Sequence, residues 1–204
     1  MLADDPAALS TAVSLLLRGE LVAFPTDTVY GVGAIAWDDE AVGKLYEAKL
    51  RPADKPIPVL LNGPEDLFAV SRDLTPTALA LAERFWPGPL TLVVRKSARL
   101  PDSVTAGSDS VAVRVPDHPV ARSLIRAAGA PLATTSANLS GQAAGVTATE
   151  VATQLAGRVA LILDGGACPG GVPSTIVDVT GDEIILIREG PLDLRCLKEA
   201  LQNG

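Results

Sequence analysis

Two stretches of this chain are rich in valine, LTLVVR at 90–95 and SVAVRV at 110–115, with only a short segment between them, and in the second Val111, Val113 and Val115 alternate with Ala112 and Arg114. Alternation with period two marks a strand buried on one face. A parallel pair needs a long crossover, so a short connection favours antiparallel pairing. STIVDVTGDEIILIRE, residues 174–189, repeats the pattern and reads as a hairpin with its turn at Gly181-Asp182. Elsewhere strands and helices interleave, but not in strict βαβ order. The pattern predicts a single α/β domain, an open, twisted, mixed β-sheet with flanking helices. Its core spans about residues 6–191, and a helix at about 193–202 closes the chain.

The helices announce themselves by their ends. Asp5 and Pro6 open a helix at 6–18 that Gly19 stops. Asp38 caps 39–48, whose apolar stripe is Val42, Leu45 and Tyr46. Residues 64–70 form a short helix, Thr75 caps 76–86, and Gly129 ends 119–128. TATE at 147–150 is a capping box. Further strands are expected at 20–24, 56–61 and 159–164.

At 204 residues and 48% hydrophobic content the chain can bury one substantial core. No apolar run approaches the roughly 18 residues of a membrane span. The acidic start, MLADDPAALS, has no signal-peptide pattern, so the expected compartment is the cytoplasm, with no membrane partner. Net charge is 17 − 24 = −7. That sign argues against a protein whose main task is coating nucleic acid. Cys168 and Cys196 are far apart, in no C-x-x-C pattern, and read as small reduced residues. No metal-binding spacing is present. The single histidine, His118, sits in VPDHPV and reads as a helix cap. Chemistry here therefore rests on placed charge more than on imidazole.

Five segments are candidates for a site. FPTDTVYGVGA, 24–34, is either a binding edge built from Thr26, Asp27, Thr28 and Tyr30, or a tight turn into a second strand. It matches neither a P-loop nor G-x-G-x-x-G. KLRPADKP, 49–56, gathers Lys49, Arg51 and Lys55 on an acidic chain. Lys49 suits a helix C-terminus, but three cations together also suit a polyphosphate. Arg114 opposes the valines of its strand and either reaches solvent or lines a cleft. Ser174 and Thr175, with Arg188 on the partner strand, are either turn residues or site residues. ATTSANLSG, 133–141, is a polar loop. If it is extended, Ser136 and Asn138 project to one side.

In their order, PTDTVYG, KLR with KP, FWPGPLTLVV, VAVRVPDHP, TTSANLSG, PSTIVDV and IREG resemble the YrdC-like family of threonylcarbamoyl-AMP synthases, over about residues 20–190. The resemblance implies a deep basic cavity in the α/β domain. It implies the reaction of L-threonine, bicarbonate or CO2, and ATP to threonylcarbamoyl-adenylate and pyrophosphate, with Mg2+ on the phosphates. Other proteins then pass the group to tRNA, which this chain meets only indirectly. By the same resemblance Lys49, Arg51, Lys55, Ser110, Ser136, Asn138 and Arg188 bind ATP. Thr28, Arg114, Ser136 and Ser174 bind threonine, and Lys49 and Arg51 are catalytic. The chain departs from the pattern in three ways. PIPVLLN lacks a histidine present in some relatives, Leu50 replaces a frequent glycine, and the end soon after REG looks like the short, single-domain form. The alternatives are an RNA-binding module of ribosome or tRNA maturation, against which 3% aromatic content counts, and a carbamoyl-transfer domain.

Overall fold

The computed structural model describes residues 1–3, 5–169, 172–181 and 183–202. The strands are β1 (Val22–Phe24), β2 (Gly31–Ile35), β3 (Val59–Leu60), β4 (Leu90–Arg95) and β5 (Ser110–Arg114), then β6 (Leu132–Ser136), β7 (Leu161–Ile162), β8 (Thr175–Asp178) and β9 (Ile185–Arg188). The helices are α1 (Pro6–Leu16), α2 (Asp39–Lys49), α3 (Leu67–Val70) and α4 (Pro76–Phe85), then α5 (Asp102–Thr105), α6 (Pro119–Ala128), α7 (Ala148–Leu155) and α8 (Leu194–Gln202).

Among the described residues the nine strands form one sheet, in the order β7-β1-β2-β6-β3-β5-β4-β8-β9. The pairs β1–β7, β3–β5 and β4–β8 are parallel; the remaining pairs are antiparallel. The expected mixed sheet is therefore present, and β4 and β5 are antiparallel neighbours as their spacing requires. β8 and β9 form the expected hairpin, although Asp182 of its turn lies outside the described residues.

Local signals set most helix ends. His118 accepts the Val120 N–H at Nδ1 and caps α6, which stops at Gly129 with φ 64°. The capping box closes on both sides: Thr147 accepts from the Glu150 N–H, and Glu150 accepts from Thr147 N–H. Strand lengths were less legible. The 56–61 segment ladders only at Val59–Leu60, because Pro56 and Pro58 have no N–H to give and Ile57 donates instead to Val104 O. Both cysteines are free: Cys168 is buried and Cys196 is exposed on α8.

Both faces of the sheet are covered, but unequally. Ala23, Val59 and Leu61 join a large core with Val42 and Leu45 of α2 and Leu81 of α4. Val22, Phe24, Leu60 and Leu132 point the other way, toward α1 and α6. Those two helices meet through Ala8, Ala12 and Leu16 on one side and Ala121, Leu124 and Ile125 on the other. Alanine at the crossing lets the backbones approach, and burying each leucine stabilises by about 1.5–3 kcal/mol. This pair covers only part of its face. The uncovered part is where the site lies.

Candidate active site

Strand register assigns side chains to that open face. Leu60 pairs with Arg114 and with Leu132, so Arg114 shares their face, as do Thr134 and Ser136 at period two. Leu92 pairs with Val113, which puts Thr91 on the Arg114 side. Thr91 pairs with Ile176, and Ile176 with Arg188. One row of side chains thus crosses five strands, β6 through β8, and reaches Arg188 on β9. It floors a cavity of about 560 Å3, within the roughly 300–1,000 Å3 of small-molecule sites. Gly31 continues the floor on β2, where a Cβ would come within 2.8 Å of Thr134 Cγ2. The glycine is there to seat that threonine.

The PTDT segment supplies one wall. Thr26 Oγ1 donates to Val29 O at 2.6 Å, so toward Thr28, 3.1 Å away, it can only accept. Thr28 Oγ1 in turn accepts from Arg114 Nη1 at 3.2 Å. Arg114 Nε donates to Gly88 O, and Nη2 meets Asp27 Oδ2 at 2.5 Å. Arg114 and Asp27 side chains are 8% and 14% exposed. Burial lowers the Arg114 pKa and the Asp27 carboxylate opposes that. Asp27 Oδ1 is buried without a hydrogen-bond partner. Of the two open alternatives, Arg114 lines the cleft.

Arg188 forms the opposite wall. Its Nε and Nη2 donate to Ser174 O at 3.1 and 2.8 Å. Its pKa is lowered by burial and then by the Arg114 charge. Arg51 lines the cavity as well, with its guanidinium donating to Lys55 O and Pro56 O. Among the described residues three arginines and no carboxylate line this cavity, on a chain of net charge −7.

Six of the expected site residues meet here: Thr28, Arg51, Arg114, Ser136, Ser174 and Arg188. Four do not line the cavity. Lys55 is exposed on the loop after α2. Ser110 shares the Arg114 face but lies four residues along β5, about 13 Å away. Lys49 falls on the buried stripe of α2 with Val42 and Leu45 and is 1% exposed. Its ammonium donates to Ser136 O, to Asn138 O at 2.6 Å and to Asn138 Oδ1 at 3.4 Å. Burial, and secondarily Arg51, push its pKa down to about 8. Asn138 is buried too, with Nδ2 donating to Leu139 O and Gln142 O. The extended segment on which a same-side pair of Ser136 and Asn138 depended ends at Ser136 with β6, and the Asn138 N–H folds back onto Ser136 O. Lys49 and Asn138 thus hold the turn whose first residue, Ser136, faces the cavity.

Thr26 and Tyr30 line the cavity, as the binding-edge reading of their segment has it, and so do Thr91 and Thr134, which the sequence does not single out. A threonine inside an apolar strand reads as ordinary β-propensity. The one usable signal was LTLVV, where Thr91 is the only polar residue.

A family model, Sua5/YciO/YrdC, described as "Telomere recombination", matches residues 14–190. The threonylcarbamoyl-AMP synthase of Pyrococcus abyssi is 43% identical over 190 residues, 93% of this chain and 56% of that protein. Its counterpart in Bacillus subtilis is 46% identical over 188 residues, 92% of this chain and 54% of that one. The chain therefore spans about half the length of these curated relatives. A crystal structure of P. abyssi Sua5 complexed with L-threonine superposes with TM-score 0.91 at 42% identity, covering 95% of this chain and 57% of that one.

Proposed function

Since this chain belongs to the Sua5/YciO/YrdC family, we propose that it is a threonylcarbamoyl-AMP synthase, a nucleotidyltransferase acting on L-threonine, bicarbonate or CO2, and ATP. The observation that carries this reading is the cavity itself: Arg51, Arg114 and Arg188 facing one space beside a row of hydroxyls. The names of the relatives support an enzyme over the RNA-binding and carbamoyl-transfer alternatives.

The chemistry needs that arrangement. Threonine's amine adds to CO2, forming the N–C bond of a carbamate and releasing a proton. A carbamate oxygen then attacks the α-phosphorus of ATP; that P–O bond forms as the bond to pyrophosphate breaks. Carboxylate, carbamate and triphosphate must converge, and their mutual repulsion is the chief barrier. Preorganised cations and donors in a partly desolvated site lower it without reorganising during reaction. Arg114 and Thr28 hold the threonine end with Ser174, and Arg51 and Arg188 take the phosphates. Lys49 and Asn138 act through the turn that presents Ser136, while Lys55 and Ser110 lie off the cavity wall.

Among the described residues no three His, Cys, Asp or Glu side chains come together as a metal site. Mg2+ thus fits this chain as an escort of the ATP phosphates, sharing their charge with the arginines. The product's threonylcarbamoyl group would pass to tRNA through other proteins. No described helix is long and apolar enough to cross a membrane, and the cytoplasm is the compartment this reading implies. The test incubates the protein with ATP, bicarbonate and each amino acid in turn and measures pyrophosphate. Release that requires both threonine and bicarbonate is expected; release indifferent to either sinks the reading.

A further inference from the structure

The hydroxyl of Thr91 lies 2.7 Å from that of Ser174, and both line the cavity. Each is almost fully buried, at 3% and 5% exposure. Arg188 Nη2 reaches Ser174 Oγ at 3.2 Å. A guanidinium has no acceptor, so Ser174 can only accept there. Among the described residues Thr91 Oγ1 has no other hydrogen-bond partner. A buried hydroxyl proton with no acceptor is costly, and the acceptor within reach is Ser174 Oγ. Thr91 sits in an interior strand with a branched, stiff side chain. Ser174 stands at the loop entering β8 and can turn its proton.

We propose that Thr91 is a positioning residue: by donating to Ser174, together with Arg188, it fills both lone pairs of that oxygen and forces the Ser174 proton into the cavity. Ser174 then acts as an obligate donor to an oxygen of the amino-acid substrate, and two donors on its oxygen strengthen it in that role. The inference rests on the proposed reaction for the identity of the substrate.

The experiment is a double-mutant cycle read in threonine Kd by calorimetry. Thr91→Val is nearly isosteric and should weaken threonine binding about tenfold, leaving ATP affinity and the melting temperature in place. Thr91→Ser should restore binding, because it keeps the hydroxyl. Ser174→Ala and the double variant Thr91→Val/Ser174→Ala should match each other, because Thr91 acts only through Ser174. Thr91→Val equal to wild type, failed rescue by Thr91→Ser, or additive losses in the double variant would overturn the proposal. Wild-type protein that binds threonine yet releases no pyrophosphate would refute the reaction and leave the cycle readable. Wild-type protein that does not bind threonine overturns both.

Discussion

Replacing Lys49 by methionine tests whether this lysine builds the site or touches the substrate. The variant keeps most of the stem volume and removes the ammonium. Two close hydrogen bonds are lost, to Ser136 O and Asn138 O; with a charged donor each contributes about 1.5–3 kcal/mol, or about 3–6 together. Against this stands the charge penalty. Lowering the pKa from 10.5 to about 8 corresponds to about 3 kcal/mol opposing the buried ammonium. The net expectation is a loss of about 0–3 kcal/mol, with about 2–4 °C in Tm for each kcal/mol in a chain of this size. Because the released carbonyls belong to the turn after β6, ATP affinity should fall with stability. Differential scanning calorimetry and ATP titration read the two effects. A phosphate-contacting lysine would give the opposite pairing: affinity falls, while stability rises with the relief of a buried charge. A higher Tm in Lys49→Met, or unchanged ATP affinity, refutes the positioning role.

The same group predicts a pH signature. Its folded pKa, about 8, lies below its unfolded 10.5, so the unfolded chain binds more protons between those values and this group's contribution to stability rises with pH across that window. Pyrophosphate release that needs the ammonium falls as pH rises through about 8, and Lys49→Met should lack that limb of the profile. Leu50 caps α2 at φ 52° and ψ 42° and is 65% exposed, so Leu50→Gly should stabilise by about 1 kcal/mol, seen as a Tm increase of about 2–4 °C. Asp27→Asn strips the buried Arg114 of its counter-charge, costing about 3–5 kcal/mol. If Arg114 binds the threonine carboxylate, threonine should raise the Tm of Asp27→Asn more than that of wild type, and an equal shift would count against that contact.

Legibility followed the range of the forces involved. α6 was readable to the residue because Pro119 and Gly129 act within one turn, and β4 because its run of leucine, threonine and valine is a local signal. β2 was only half legible. GVGAI has two glycines and no strand-like bulk, and its pairing depends on Thr134 and Phe24 filling the space the glycines leave. The αL cap at Leu50 was visible only as a departure from the family pattern, yet it is what turns the chain from α2 into the Arg51 loop.

By itself the sequence determined the α/β class, the antiparallel β4–β5 pairing, the helix ends and the set of segments that gather at the cavity. Periodicity, capping and motif order are properties of neighbouring residues, so they survive without coordinates. Which side chains of those segments reach the cavity was decided only in three dimensions. Arg114 and Lys49 look alike in the sequence, each a cation beside apolar neighbours. Strand register turns Arg114 onto the sheet face that α1 and α6 cover only in part. Helix periodicity turns Lys49 into the core, where its charge is held by the carbonyls of a turn nearly ninety residues away in sequence.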